Sequence, residues 1–337
     1  MPLKARRKTT IYNIAQKARS SPSAVSSALN GTWKKRRLKE ETVERILRIA
    51  REEGYTANLQ ARGLRKAKSG LAGLILPNHE NRFFAELSET FALESQARGH
   101  CPAIVHAGRD VEVQLQALRD LLSYAVDFVF IAGATDPDGL ARLCRDAHLP
   151  HVFVDQPCAQ APSVVADNRA AAAALTETLL EDMAPSDPDD PGSWLYLLGG
   201  EETSSATVER VRGFRAQMQA SGFLYSEDQI IACGYDPVRA TDALGRLHRD
   251  LGRLPGGLFV NSIDCFEGVV RYLAQVPEAE TKRTQFGCFD HDPLATLLRV
   301  PLRMVRQRSD VMIAEAFRQL DAGAQGGSLL QVPCELL

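Results

Sequence analysis

From residue 70 onward, short unbroken apolar runs alternate with amphipathic stretches. The runs LAGLILP, CPAIVHA, VDFVFIAG, HVFVD, WLYLLGG, GGLFVNS and QFGCFD are continuous rather than alternating in polarity, the pattern of strands buried on both faces. Helical stretches at 83–98, 111–124, 138–148, 168–183, 207–220, 237–251 and 265–275 lie between most of them. Such alternation predicts parallel, doubly wound α/β sheets. About ten strands exceed what one domain uses, so two similar lobes are expected.

The first 57 residues follow a different period. Thr10 precedes Ile11, Ile14, Ala15 and Ala18, a helical stripe with an N-cap residue in front. Arg19 and Ser20 make a tight turn, and Ser21-Pro22 then supplies an N-cap with proline at the first helical position. Val25, Ala28 and Leu29 form the inward stripe of this second helix, leaving Ser23, Ser26 and Ser27 expected on the outer side, and Asn30-Gly31 ends it. Glu40 and Glu41 open a third helix carrying Val43, Ile46, Leu47 and Ala50, stopped at Gly54. Two short helices joined by a tight turn and braced by a third describe a helix-turn-helix, although a generic three-helix interaction module would share the pattern.

Charge separates these possibilities. The net charge of −2 hides an asymmetry: residues 1–70 hold 18 Lys and Arg against 5 Glu and no Asp, a balance of +13, and the rest carries −15. A basic head on an acidic body points to a polyanion partner. The run Lys34, Lys35, Arg36 and Arg37 after the small-residue helix would grip a DNA backbone while that helix lies in the major groove.

At 337 residues with 45% hydrophobic content, the chain is expected to form two or three soluble domains. It has no apolar run of about 18 residues, and its basic start runs into Thr9-Thr10 rather than an apolar signal core, so a cytoplasmic location is expected. Seven scattered cysteines, at 101, 144, 158, 233, 265, 288 and 334, show no C-x-x-C spacing and are read as buried thiols, with no metal or cofactor expected.

The stretches TIYNIAQKARSSPSAVSSALNG and EGYTANLQARGLR resemble the DNA-binding head and hinge of the lactose-repressor (LacI/GalR) family of bacterial transcription regulators. The resemblance covers essentially the whole chain. The loop in GTWKKRRLKEETVERI and the phrase GLILPNHENRFFAEL are most similar to the fructose-repressor, or catabolite repressor/activator, branch. It implies a helix-turn-helix head at 1–57, a hinge segment and linker at 58–69, and a periplasmic-binding-protein-like body. Residues 70–161 and 292–322 would form the N-terminal lobe of that body, and 162–291 with 323–337 the C-terminal lobe. On the head it implies DNA contacts from Thr10, Tyr12, Ser21, Pro22, Ser23, Ser26, Ser27 and Asn30 besides the basic loop, with Pro22, Ser23 and Ser27 facing base edges. Serine donates and accepts to several bases, so the operator sequence cannot be read from this helix. In the hinge, Asn58, Ala61 and Leu64 would contact DNA, with Leu64 as a minor-groove wedge.

Doubly wound sheets bind ligands beyond the carboxyl ends of their strands. The residues standing there are Asn78, His79, Asn81, Asp155, Gln156, Asn261, Ser262, Asp290 and His291. The resemblance implies that Arg210 clamps ligand hydroxyls or an acidic group, that Asp290 accepts from sugar hydroxyls, that Asp155 and Ser262 line the pocket, and that Asn78, Asn81, Phe83 and Gln156 belong to it. A carboxylate that accepts beside a guanidinium that donates suits polyols. Gln156 stands where the fructose branch tends to carry arginine, and one fewer cation weakens the case for a phosphorylated ligand; fructose 1-phosphate or another sugar phosphate is still the leading expectation for the effector, with a neutral sugar close behind. The chain ends at LLQVPCELL, read as one last strand, with no leucine heptads after it, so a homodimer on a pseudo-palindromic operator is expected.

No G-x-G-x-x-G follows a strand, and there is no G-x-x-x-x-G-K-[ST], no G-x-S-x-G and no histidine pair at metal spacing. The sequence therefore reads as a transcriptional regulator, expected to repress genes of sugar metabolism under a small sugar or sugar-phosphate effector, rather than as an enzyme. A ligand-independent DNA-binding protein is the alternative, followed by a sugar-binding protein or an enzyme on the same fold.

Overall fold

The computed structural model describes residues 9–55, 68–78, 80–223, 225–324 and 326–337. The chain divides at Ser69–Gly70 into two units.

The first unit is a three-helix head: α1 (Ile11–Lys17), α2 (Pro22–Leu29) and α3 (Glu40–Glu52). Thr10 and Asn13 cap α1 reciprocally, Ser21 accepts from the Ala24 N–H at the start of α2, and Pro22 sits at the first position. Arg19, at φ 47°, turns the chain between them. Ile14, Val25, Val43 and Ile46 pack into one small core with Ala15, Ala18, Ala28 and Ala50. The alanines let the helix axes approach closely, which an eight-residue helix needs to bury enough surface.

The second unit begins with β1 (Leu71–Leu76), α4 (Arg82–Ala97), β2 (Cys101–His106), α5 (Val111–Ser123), β3 (Phe128–Ala132), α6 (Pro137–Asp146), β4 (His151–Val154) and β5 (Ser163–Ala166). It continues through α7 (Asn168–Asp182), β6 (Leu195–Leu198), α8 (Ser205–Ala220), β7 (Ile230–Ile231), α9 (Pro237–Leu251), β8 (Gly257–Val260), α10 (Ile263–Leu273), α11 (Glu278–Thr281) and β9 (Gln285–Phe289). It ends with β10 (Leu302–Arg306), α12 (Ser309–Asp321), β11 (Leu329–Val332) and β12 (Glu335–Leu336).

Two six-stranded sheets result, ordered β11-β5-β4-β3-β1-β2 and β12-β10-β9-β8-β6-β7. Every pair is parallel except β10 with β12. Each sheet is buried on both faces. In the first lobe, Phe91, Phe128, Phe130 and Phe317 meet under α4 and α12, while Ile75, Leu118, Ile131 and Phe153 pack under α5 and α6. In the second, α9 and α10 cover one face and α7 and α8 the other. Helices α7 and α8 pack so closely that a Cβ at Gly213 would lie 2.2 Å from the Arg169 carbonyl oxygen.

The sheets partition the chain differently from the expected lobe boundaries. Strand β5 belongs to the first sheet rather than to 162–291, β10 lies in the second sheet although 292–322 was assigned to the first lobe, and β11 returns to the first sheet. The final segment is two strands, not one, because Pro333 has no N–H to continue a ladder. The chain thus passes between lobes three times, at 166–168, 306–309 and 332–335, and the Asp167 N–H bonded to the Val332 carbonyl (2.8 Å) ties two of the passages together. Among the described residues no helix is long and apolar enough to cross a membrane. Of the cysteines, Cys101 is exposed and Cys334 half-buried, so not all are the interior thiols expected.

Candidate functional sites: a basic head and an interlobe cleft

On the head, Lys34, Lys35 and Arg36 lie in a 3-10 turn over Trp33–Arg36, closed by Arg37 at φ 53°. All four cations are exposed, none has an ion-pair partner among the described residues, and the Lys34 Nζ stands 5.5 Å from the Trp33 ring centre. Tyr12, Ser21, Pro22, Ser23 and Asn30 are exposed, Tyr12 at 74%. Thr10 is also exposed, although its hydroxyl is engaged with Asn13 (2.6 Å). Half-buried Ser26 accepts from the Asn30 amide (3.2 Å). Ser27 corrects the expectation: it is buried at 5% exposure and donates to the Ser23 carbonyl (2.9 Å), the i to i−4 back-bond that hydroxyls make in helices. Only Ser23 and Pro22 of the expected base readers are open. Asn58, Ala61, Leu64 and His79 lie outside the described residues.

In the body, the strand order reverses between β1 and β3 in one lobe and between β6 and β8 in the other, so both crevices open at the carboxyl ends of strands. Asp155 directly follows β4 and Asp290 directly follows β9, one from each lobe, at φ 69° and 79°. Two non-glycine residues held left-handed at corresponding strand ends are a strain that surrounding structure must impose.

Arg210, at 3% exposure on α8, is the fixed cation of the cleft. Its Nε donates to Asn168 Oδ1 (2.8 Å), one terminal nitrogen donates to the Asn261 carbonyl (2.6 Å), and its plane lies 3.6 Å from the Phe289 ring centre. Asp290 accepts from the Gln307 amide (2.6 Å). Ser262 caps α10 by accepting from the Cys265 N–H (3.3 Å). The Asn261 amide donates to Thr207, which hydrogen bonds Tyr235 (2.7 Å). Among the described residues two acceptors of the cleft are left over: Asn261 Oδ1 and Gln307 Oε1 are buried with no partner. A buried acceptor without a donor costs about 1–3 kcal/mol, so a ligand that brings donors is favoured there.

The lobes touch across this cleft. Asn81 caps α4, its Oδ1 accepting from the Phe83 N–H (2.9 Å), and its Nδ2 donates to Asp264 on α10 (3.0 Å). The Arg109 guanidinium, exposed in the loop after β2, lies 4.8 Å from the ring centre of Tyr235 of the second lobe. Burial pushes the Asp155 carboxyl up to about 6, opposed by Arg210 and Arg109 and reinforced by Asp290. Burial also raises Asp264, with the Asn81 hydrogen bond opposing it.

Of the sequence candidates, Asn81, Phe83, Asn261, Ser262, Arg210 and Asp290 are buried around the cleft, whereas Asn78, Asp155, Gln156 and His291 are half-buried. Asn78 spends its carbonyl on the Asn81 N–H (3.0 Å). Asp264, Arg109, Tyr235 and Gln307 were missed. Only Asp264 carried a signal, an acid in the first turn after the Ser262 cap. Two surface hollows, of about 230 Å3 beside Trp194 and Met218 and about 410 Å3 beside Arg169 and Gly213, lie outside the cleft. Neither holds an unpaired buried polar atom.

Residues 69–250 match the family described as periplasmic binding proteins and sugar binding domain of the LacI family. The ribitol operon repressor of Klebsiella aerogenes is 42% identical over 178 residues, 53% of this chain and 66% of that protein, a little under two thirds of its length. The lac repressor dimer bound to operator and the anti-inducer ONPF has a TM-score of 0.81 at 17% identity, covering 98% of each chain. The Cra transcriptional dual regulator of Pseudomonas putida in complex with fructose 1-phosphate has a TM-score of 0.70 at 22% identity, covering 80% of this chain and 98% of that one. With that family match, and a fold shared over both the head and the body, the chain belongs to the LacI family of transcriptional regulators.

Proposed function

We propose that this protein is a dimeric repressor of sugar- or polyol-metabolism genes, acting on operator DNA in the cytoplasm and controlled by a neutral polyhydroxylated effector in the interlobe cleft. The observation that carries the effector class is the pair of unpartnered buried acceptors, Asn261 Oδ1 and Gln307 Oε1, beside the carboxylates of Asp290 and Asp155. Hydroxyls satisfy acceptors; a phosphate dianion brings none of the donors these atoms lack. Arg210 is already committed to Asn168, the Asn261 carbonyl and Phe289. The 42% identity to a ribitol operon repressor points the same way. A sugar phosphate remains the second reading because Arg109 stands exposed at the cleft with a guanidinium able to take an anion.

Phosphate contacts from Lys34 to Arg37 would supply the salt-dependent part of operator affinity. Effector binding would favour one arrangement of the two lobes and, through it, one spacing of the paired heads. The coupling is bounded by the effector's differential affinity for the two arrangements, typically about 1–3 kcal/mol.

A gel shift on the chain's own upstream DNA, with excess competitor, tests this reading against ribitol and fructose 1-phosphate in parallel. Release of a discrete complex by ribitol alone is expected. Release by fructose 1-phosphate alone would replace the neutral effector by the phosphate, and a complex indifferent to sugars and polyols would leave a ligand-independent DNA-binding protein.

A further inference from the structure

Beside the cleft, a chain of hydrogen bonds runs through three hydroxyls and ends on a side chain with an unpaired atom. Asn261, fully buried directly after β8, donates from Nδ2 to the Thr207 hydroxyl (3.2 Å), while its Oδ1 has no partner among the described residues. The Thr207 hydroxyl meets that of Tyr235 at 2.7 Å, and Tyr235 meets that of Ser204 at 3.1 Å. The backbone around this chain is fixed. Gly234, next to Tyr235, forms a two-way backbone bridge with Gly200, at 2.8 and 3.0 Å. Gly200 lies at φ 84°, and a Cβ there would collide with both the Asn261 amide nitrogen and the Thr207 hydroxyl. The Asn261 backbone N–H donates to the Leu198 carbonyl (2.9 Å), and its carbonyl accepts from Arg210 (2.6 Å). What is left to turn is the amide group itself, and half a turn exchanges an acceptor for two donors.

Thr207 sets the direction of the chain. It is 3% exposed and accepts from Asn261, and among the described residues the Tyr235 oxygen is the one acceptor its hydrogen reaches. A buried hydroxyl hydrogen without an acceptor is costly, so Thr207 donates to Tyr235, and Tyr235 in turn donates to Ser204. With its one hydrogen engaged, Thr207 can only accept from Asn261. The amide must therefore face Thr207 with its nitrogen and leave its oxygen on the other side.

We propose that Tyr235 is a specificity-determining residue of the cleft, a positioning residue whose hydroxyl, acting through Thr207, keeps the Asn261 oxygen turned to the ligand. The ligand must then bring a hydroxyl hydrogen to that point, and a group that only accepts leaves Oδ1 unpaired. In Tyr235→Phe the Thr207 hydrogen loses its acceptor. Turning the amide repairs this: Oδ1 accepts from Thr207, and Nδ2 takes its place in the cleft. The requirement at that point changes from a donor to an acceptor. Phenylalanine keeps the ring on which Arg109 of the first lobe lies, so the contact between lobes is retained. The choice of ligand rests on the polyol reading proposed above; the orientation of the amide does not.

Two measurements on the full chain test this. Neutron diffraction from crystals of the deuterated, ligand-free protein should place the Thr207 deuterium towards Tyr235 and both amide deuteriums of Asn261 towards Thr207, with the amide reversed in Tyr235→Phe. A Tyr235 deuterium pointing at Thr207, or one amide orientation in both proteins, would overturn the proposal, and the wild-type map alone decides the direction if the variant fails to fold. Calorimetry then compares ribitol with deoxyfluoro-ribitols, in which fluorine, unable to donate, replaces one hydroxyl at a time. In the wild type, the compound lacking the hydroxyl that faces Asn261 should bind at least about 10-fold more weakly than ribitol, and Tyr235→Phe should remove that loss for this compound alone. Equal weakening of the whole series in the variant would make Tyr235 merely structural. A wild-type protein that binds none of the series would overturn the polyol reading, with the deuteriums still deciding the amide.

Discussion

Asn81 and Asp264 join the two lobes: the amide that caps α4 in the first lobe donates to the carboxylate in the first turn of α10 in the second, at 3.0 Å. Because one partner is a carboxylate, such a bond is worth about 1.5–3 kcal/mol when well made. It therefore biases the lobes towards closure. Asp264→Ala should open the ligand-free body, seen as a larger radius of gyration by small-angle scattering, and weaken effector binding by roughly 10-fold. Unchanged scattering and affinity would mean that the bond forms only after closure and does not drive it.

Arg210 is a buried cation held by one side-chain amide, one backbone carbonyl and a ring, with no paired carboxylate among the described residues. Arg210→Lys retains the charge and loses the fork that reaches Asn168 and Asn261 together. Operator binding should persist while effector affinity falls at least about 10-fold, with thermal unfolding lowered by no more than about 2 kcal/mol equivalent. Loss of operator binding in the same variant would give Arg210 a structural role.

The pH dependence follows from Asp155, whose carboxyl burial pushes up to about 6. As pH rises from about 4 to 6 the unfolded chain releases this proton first, so the native state binds more protons and the contribution of this group to stability falls through that window, then stays flat. Asp155→Asn should remove the slope and stabilise the protein at pH 7 by about 1–3 kcal/mol. Urea unfolding at intervals from pH 4.5 to 7.5 measures both. Parallel curves for the two proteins would place an ionised carboxylate there throughout.

The basic turn predicts a salt signature. Replacing Lys34 and Lys35 by alanine should weaken specific and non-specific DNA alike, and flatten the plot of log affinity against log salt by about 0.9 for each phosphate contact removed. A loss confined to the specific site would transfer these side chains from backbone grip to base recognition.

Gly213 tests the packing that positions Arg210. Gly213→Ala puts a methyl 2.2 Å from the Arg169 carbonyl oxygen, between α7 and α8. Overpacking of this kind costs about 1–3 kcal/mol, readable as a lower thermal midpoint, and should impair the effector response through the displaced helix. An unaltered midpoint would show that the two helices separate without penalty.

Local chemistry made much of this legible. Thr10, Ser21 and Pro22 act as the caps their identities announce, and the unbroken apolar runs are strands because both faces are covered. Strand β5, SVVA between Pro162 and Asp167, was not among the apolar runs picked out. Strand β10, LRMVR, carries arginines that read as surface chain. At the cleft, residues directly after strands were found by position alone. Arg109 and Tyr235 were not, since the meeting of the lobes brings them together, and Gln307 was not, since β10, the strand it directly follows, went unrecognised. Ser27 misled for a similar reason: helical spacing placed it outward, and its hydroxyl instead turned back on the helix.

The threefold passage of the chain between lobes also governs the order in which the protein can be built. Phe91, Phe128 and Phe130 of the first lobe close their core on Phe317, and β5 completes its pairing with β11, both supplied by residues 309–332, which are made after β1–β10. The lobe that is translated first is thus completed only after every element of the second except β12. Until α12 arrives, its aromatic face is an exposed, aggregation-prone surface, and a premature stop before residue 309 strips both lobes at once, taking α12 and β11 from one and β12 from the other.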